Sequence, residues 1–166
     1  MNIALDHWHI EVSSICTLKC PRCTRAEVPE TLLNRSLDLK FFQEQIGQTR
    51  ISQIKKISFC GDDGDPIYAK QFLEIVTWIK SINPSIQLLI ITNGSYKTEA
   101  WWKSLADILN KHDEIHWSLD GWNQESNSKY RVNCDWASII TGLSTFVKHN
   151  QETYTVIATI AFRFNE

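Results

Sequence analysis

Polar and apolar positions alternate through residues 8–13, WHIEVS, at the two-residue period of a strand with one buried face. Residues 55–60, KKISFC, predict a second strand. Residues 86–92, IQLLIIT, are a nearly unbroken apolar run, as expected of a strand covered on both faces. Residues 114–119, EIHWSL, and 153–163, TYTVIATIAFR, predict a fourth and a fifth strand. Between the strands the period changes to that of a helix. Helical spacing runs over 37–48, with Ser36 as the expected N-cap. Over 69–81 it places Phe72, Ile75, Val76 and Ile79 on one face, and Asn83 and Pro84 end that helix. Helices are also expected over 98–110 and 135–149.

The order is β-α-β-α-β-α-β-α-β, which implies an α/β fold with a parallel sheet and right-handed crossovers. In such a sheet the functional loops lie at the C-terminal ends of the strands. A cysteine-bearing segment follows the first strand, CGDDGDP the second, TNGS the third and SLDG the fourth. All four therefore fall on one expected rim.

The chain has 166 residues, a length suited to one domain over 1–166. Its 17 basic and 19 acidic residues leave a formal charge of −2, so a broadly basic nucleic-acid surface is not indicated. No apolar run approaches the ~18–20 residues of a membrane span. The opening residues, MNIALDHWHIEV, lack the basic start and apolar stretch of a secretory signal, and the expected location is the cytoplasm. The cysteines number five, an odd count, and with no export signal they do not suggest a disulfide framework.

Three of the five form Cys16-Thr-Leu-Lys-Cys20-Pro-Arg-Cys23, a C-x3-C-x2-C spacing. Cysteine thiolates bind soft metals and are the usual ligands of iron–sulfur clusters. Three ligands in one loop would cap three corners of a cubane and leave the fourth iron open. Structural zinc is the competing reading, but it needs a fourth ligand. His7 and His9 precede the loop, and His9 falls inside the expected strand.

C-x3-C-x2-C after a first strand resembles the radical S-adenosylmethionine (radical SAM) enzymes. SFCGDDGDPIY is similar to that family's glycine-rich GGEP motif, ITNGS to its third-strand TNG segment, and HWSLDG with Tyr130-Arg131 to its fourth-strand SLDG and downstream arginine. The resemblance runs from about residue 8 to the C-terminus, closest in flavour to the branch with molybdenum-cofactor and peptide-maturation enzymes. It implies a partial (β/α) TIM-like barrel. It also implies a [4Fe–4S] cluster on Cys16, Cys20 and Cys23, and S-adenosyl-L-methionine as second cofactor. The implied activity is reductive cleavage of that cofactor to a 5′-deoxyadenosyl radical, which takes hydrogen from a substrate. The substrate itself (peptide, nucleoside or small metabolite) is not legible, and no catalytic side chain is singled out. An electron donor such as flavodoxin or ferredoxin is expected; a membrane or extended nucleic acid is not.

The same resemblance assigns cofactor contacts to Gly61, Gly64, Asp65, Thr92, Asn93, Ser118, Asp120 and Arg131. Asp65 stands where the family usually has glutamate, one methylene longer. Asn93-Gly94 and Asp120-Gly121 also read simply as turn formers. Arg22 occupies a position before the third cysteine that is often aromatic or apolar in the family. Cys60 and Cys134 are expected to be small buried fillers. Trp101 and Trp102 are expected to be packing or surface residues, Trp117 to point into the sheet–helix layer, and His112 and His116 have no evident partner. About five of the family's six β/α units are counted, so the core is expected to be shortened at the C-terminus, with Asn165 at the end of the fifth strand. That shortening motivates an alternative: a non-catalytic iron–sulfur electron carrier, or an inactive binding module with the same fold.

Overall fold

The computed structural model describes residues 5–166; the first four residues of the N-terminal segment read above lie outside it. Five strands form one parallel sheet in sequential order: β1 (His7–His9), β2 (Lys56–Phe59), β3 (Gln87–Thr92), β4 (Glu114–Ser118) and β5 (Tyr154–Ala158). Helices cross between them: α1 (Thr24–Glu27), α2 (Leu39–Phe41), a π-helical stretch Phe42–Ile46, α3 (Gly47–Gln53), α4 (Phe72–Ile82), α5 (Glu99–Ile108), α6 (Gln124–Ser128) and α7 (Trp136–His149). This is the α/β architecture expected, consistent with a partial barrel of the TIM type. No helix among the described residues is long and apolar enough to cross a membrane.

Strand alternation divides the sheet's two faces. Ile57, Phe59, Leu88, Ile90, Ile115 and Trp117 point to the helices and are fully buried. They meet Ile75 and Ile79 of α4, Trp102 and Leu105 of α5, and Ile139 and Phe146 of α7, all in the same core cluster. Each such side chain contributes about 1.5–3 kcal/mol by leaving water. Trp102 and Trp117 pack with ring centroids 4.4 Å apart, a packing role as expected. The opposite face carries Gln87, Leu89, Ile91, Glu114 and His116, all half-buried. The third strand is therefore covered fully on one face only.

Boundaries differ from the pattern where side chains supply alternative partners. The first strand leaves the sheet after His9, and the chain turns to pair with residues 35–37: Leu37 N–H donates to Val12 O at 2.9 Å. Ser36 joins an isolated bridge with Ser13, and the helix N-cap is instead Asp38, which accepts from Phe41 N at 2.8 Å. Gly47, at φ +78°, breaks the expected 37–48 helix, and burial of Ile51 and Ile54 carries a further helical segment past it. The fifth strand stops at Ala158 because Asp120 Oδ1 takes the Ile160 N–H at 2.7 Å and Asn165 Oδ1 takes the Phe162 N–H at 2.6 Å.

At the end of the sheet away from the candidate rim, Lys80 Nζ lies 2.6 Å from Asp113 Oδ1, with the carboxylate's side chain fully buried. The ammonium also donates to Ile86 O at 2.8 Å, and Asp113 accepts the N–H groups of Leu88 and Asn110. Burial pulls the Lys80 pKa down despite the partner. The site thus depends on both charges being present. Lys80→Met is expected to lower stability by about 3–5 kcal/mol, because it leaves a buried carboxylate uncompensated. Urea denaturation is the check, with a lowered midpoint at unchanged slope.

Candidate functional site

The parallel register brings the ends of all five strands to one side, where a cavity of about 430 Å³ opens. Cys16, Cys20 and Cys23 form part of its wall. Gly61, Gly64 and Asp65 come from the loop after β2, Thr92 and Asn93 from the end of β3, Ser118 from β4, and Arg131 from the segment after α6. The fourth-strand Asp120 is not among these walls. It is fully buried and accepts from Arg131 Nε at 2.6 Å.

The cysteine loop is held from several directions. Lys19 N–H donates to Val132 O at 2.9 Å, Asn133 Nδ2 donates to Thr17 O at 2.7 Å, and Thr17 Oγ1 lies 2.7 Å from Tyr68 Oη. Cys23 is the N-cap of α1. Arg25, in that helix, donates to the carbonyls of Ser14 and Asp63 and so clamps the cysteine helix to the glycine loop. Arg25 and Tyr68 were not legible as site residues. Their only signal was their position, two residues after the last cysteine and two after Pro66.

Burial pushes the Cys16 thiol up to about 12, with the Asp65 charge adding to it. Burial also raises Cys20, opposed by the Arg131 guanidinium. The metal-free Cys16 and Cys20 thiols are therefore protonated at neutral pH, and ligation would exchange those protons for metal. Among the described residues, no three His, Cys, Asp or Glu side chains converge as ligands of one metal ion. Three soft sulfurs on one cavity wall are the donor set of a cluster that takes one corner from each, and in that sense the residues fit such a group.

Gly61 and Gly64 owe their identity to close approach, since neither has a positive φ. A Cβ on Gly61 would collide with the Gly64 carbonyl, and one on Gly64 with the Ser13 carbonyl. The loop packs on itself and against the chain leading to the cysteines, and Glu11 Oε1 accepts its Asp63 N–H at 2.6 Å. Pro66 opens a 3-10 turn, Pro66–Tyr68, capped by Asp65.

Asp65 is buried and faces inward to protein donors. Its Oδ2 accepts from Asn93 N at 2.7 Å, Asn93 Nδ2 at 2.6 Å and Thr92 Oγ1 at 3.1 Å, while Oδ1 accepts from Ile67 N at 3.2 Å. Thr92 Oγ1 also accepts from Gly94 N, and Asn93 Oδ1 from Ser95 N, so both residues build the turn as well as the cavity wall.

Cys60 departs from expectation. It is half-buried, lines the cavity, and its Sγ lies 3.1 Å from His9 Nε2. Cys134 is a buried filler that accepts from Asn127 Nδ2 at 3.2 Å. His116 has a partner after all: two residues apart on β4, its Nε2 lies 3.2 Å from Glu114 Oε2. Arg22 and Tyr130 are further cavity walls.

Burial outweighs the four donors at Asp65 and raises its pKa from 3.8 to about 6. Between those values the folded protein binds more protons than the unfolded chain, so stability falls as pH rises through this window. The Asp65 contribution is fully present below pH 3.8 and lost as pH passes about 6, a swing of about 3 kcal/mol. In metal-free protein, urea denaturation across pH 4–7 is expected to show that decline, and Asp65→Asn is expected to remove it.

The family model described as the Radical SAM superfamily matches residues 10–165. No curated protein matches the chain. Among solved structures, BtrN in complex with AdoMet and 2-DOIA superposes with a TM-score of 0.60 at 18% identity, over 95% of this chain and 58% of that one. SuiB of Streptococcus suis bound to S-adenosylmethionine gives 0.69 at 16%, over 96% of this chain and 34% of SuiB. The anSMEcpe structure with bound AdoMet gives 0.67 at 20%, over 91% of this chain and 41% of its own. This chain thus spans between about a third and six-tenths of the length of these neighbours. At such identities the likeness is one of fold. The fold, the rim and the match across residues 10–165 agree: the chain belongs to the radical SAM superfamily.

Proposed function

We propose that residues 1–166 form the catalytic core of a radical SAM enzyme, with Cys16, Cys20 and Cys23 holding a [4Fe–4S] cluster. The observation that supports this best is that the three thiols share one cavity with Gly61, Gly64, Thr92, Asn93, Ser118 and Arg131, from four different strand ends. When bound, the cluster and S-adenosylmethionine would supply one-electron reductive cleavage to a 5′-deoxyadenosyl radical that abstracts hydrogen from the substrate.

The chain's own residues would bind, orient and shield. Carbonyls of the Gly61–Gly64 loop would accept from the cofactor's amino group. Arg131 offers a guanidinium fork for its carboxylate, and Asp120 fixes the direction of that fork from behind. Thr92 and Ser118 offer hydroxyls at the cavity wall. Asp65, saturated by protein donors, would act by holding the third-strand turn rather than by direct contact. The substrate is a peptide, a nucleoside or a small metabolite. SuiB bound to precursor peptide SuiA and BtrN bound to 2-DOIA are both neighbours of this fold. A flavodoxin or ferredoxin would supply the electron.

The test is electron paramagnetic resonance on anaerobically reconstituted, reduced protein, with and without S-adenosylmethionine. The expected result is a [4Fe–4S] signal that shifts on adding the cofactor, together with formation of 5′-deoxyadenosine. Cys16→Ala, Cys20→Ala and Cys23→Ala are each expected to abolish the signal, and Cys60→Ala and Cys134→Ala to keep it. Protein that takes up no cluster sinks the proposal. A cluster whose signal ignores S-adenosylmethionine would instead mark an electron carrier.

A further inference from the structure

Two buried carboxylates on the rim each hold a nitrogen donor against a cysteine sulfur. Asn93 Nδ2 lies 2.6 Å from Asp65 Oδ2 and 3.6 Å from Cys16 Sγ. A side-chain amide has two N–H groups, so one serves the carboxylate while the other faces the sulfur. Arg131 repeats the arrangement: Nε donates to Asp120 Oδ2 at 2.6 Å, and Nη1 lies 4.0 Å from Cys20 Sγ. Both carboxylates are anchored elsewhere. Asp65 also takes the N–H groups of Asn93 and Ile67, and Asp120 takes that of Ile160. Cys23 differs, its thiol facing Asp62 O at 3.9 Å.

We infer that Asn93 and Arg131, oriented by Asp65 and Asp120, are hydrogen-bond donors to the Cys16 and Cys20 sulfurs and raise the reduction potential of the cluster those cysteines hold. This rests on the reading above that the three cysteines hold a [4Fe–4S] cluster. An N–H aimed at a ligating sulfur withdraws charge from it, and the interaction strengthens when the cluster gains an electron. Arg131 brings a guanidinium to that effect, its charge partly offset by Asp120 beside it, whereas Asn93 adds an amide dipole. The Leu18 N–H, 3.4 Å from Cys16 Sγ, is a backbone donor that side-chain substitution leaves in place.

The experiment is a redox titration of the reconstituted full chain without S-adenosylmethionine, followed by electron paramagnetic resonance, with resonance Raman of the iron–sulfur stretching bands. Leaving the cofactor out separates this role from any part in cofactor binding. Asn93→Ala and Arg131→Met are each expected to disfavour reduction by roughly tenfold, a one-electron shift of about 59 mV to more negative potential. Arg131→Lys should shift the same way by less, because it keeps the charge without the fork; it decides the matter if the stronger variants fail to load. Lys103→Ala, which removes an exposed ion pair on α5, should match the parent. A parent that takes up no cluster overturns the functional reading and this inference with it. A parent that loads normally, beside loaded variants of unchanged potential and unchanged Raman bands, overturns this inference alone.

Discussion

A parallel sheet in sequential order has one geometric consequence on which the site depends: every strand delivers its C-terminal end to the same rim. Hydrogen bonding fixes the strands side by side, and right-handed crossovers keep the helices on one face. The loops after the strands must then crowd together along that rim. Crowding alone would not order them, because loops carry backbone groups that the ladder no longer satisfies. The order comes from side chains that take over the ladder's work.

Two aspartates, Asp65 and Asp120, do much of this at the rim, and a third, Asp113, orders the opposite end; each has different partners. Asp113, at the far end of the sheet, faces Lys80 directly and forms a buried ion pair that fastens α4 to the start of β3. Asp120 pairs with Arg131 and takes a backbone N–H from the segment after β5, so one carboxylate joins the fourth strand's loop to the chain's last residues. Asp65 has neutral donors only within hydrogen-bond reach, with Arg131 acting on it weakly from a distance. Burial accordingly pushes its carboxyl upward. A longer glutamate at this position would carry the charge further along the same direction. The shorter side chain instead closes on Thr92 and Asn93 and binds the second loop to the third strand.

The sequence carried those features that depend on short-range pattern. The α4 face of Phe72, Ile75, Val76 and Ile79 was legible because burial at helical spacing leaves a periodic trace, and all four are buried. The three cysteines and the four rim segments were legible because parallel strands make loop position a function of element order. What was not legible depends on distant residues. Ser36 has the composition of an N-cap, yet Asp38 takes that place because Ser36 pairs with Ser13, 23 residues away. The fifth strand's apolar pattern runs on past Ala158, and only the side chains of Asp120 and Asn165 end it. Cys60 resembled a filler because a lone cysteine in a strand usually is one. Its place on the cavity wall follows from strand register, which the local sequence does not state.

The same long-range contacts bear on what the cysteine loop can do before any metal arrives. A loop of this kind could fold only on ligation, as small metal-dependent domains do. Here Thr17, Lys19 and Arg25 are tied to Tyr68, Val132 and Asp63, residues from two other parts of the chain. None of these ties uses a thiol. The loop's path is therefore set by the protein, and the Cys16 and Cys20 sulfurs are presented to the cavity as protonated groups in a partly desolvated wall. Ligation then has to displace protons but need not order the chain, which shifts its cost from conformational entropy to electrostatics. Nitrogen donors held by buried carboxylates lie where that electrostatic cost is met: beside Cys16 and Cys20, two cluster-loop thiols that burial raises.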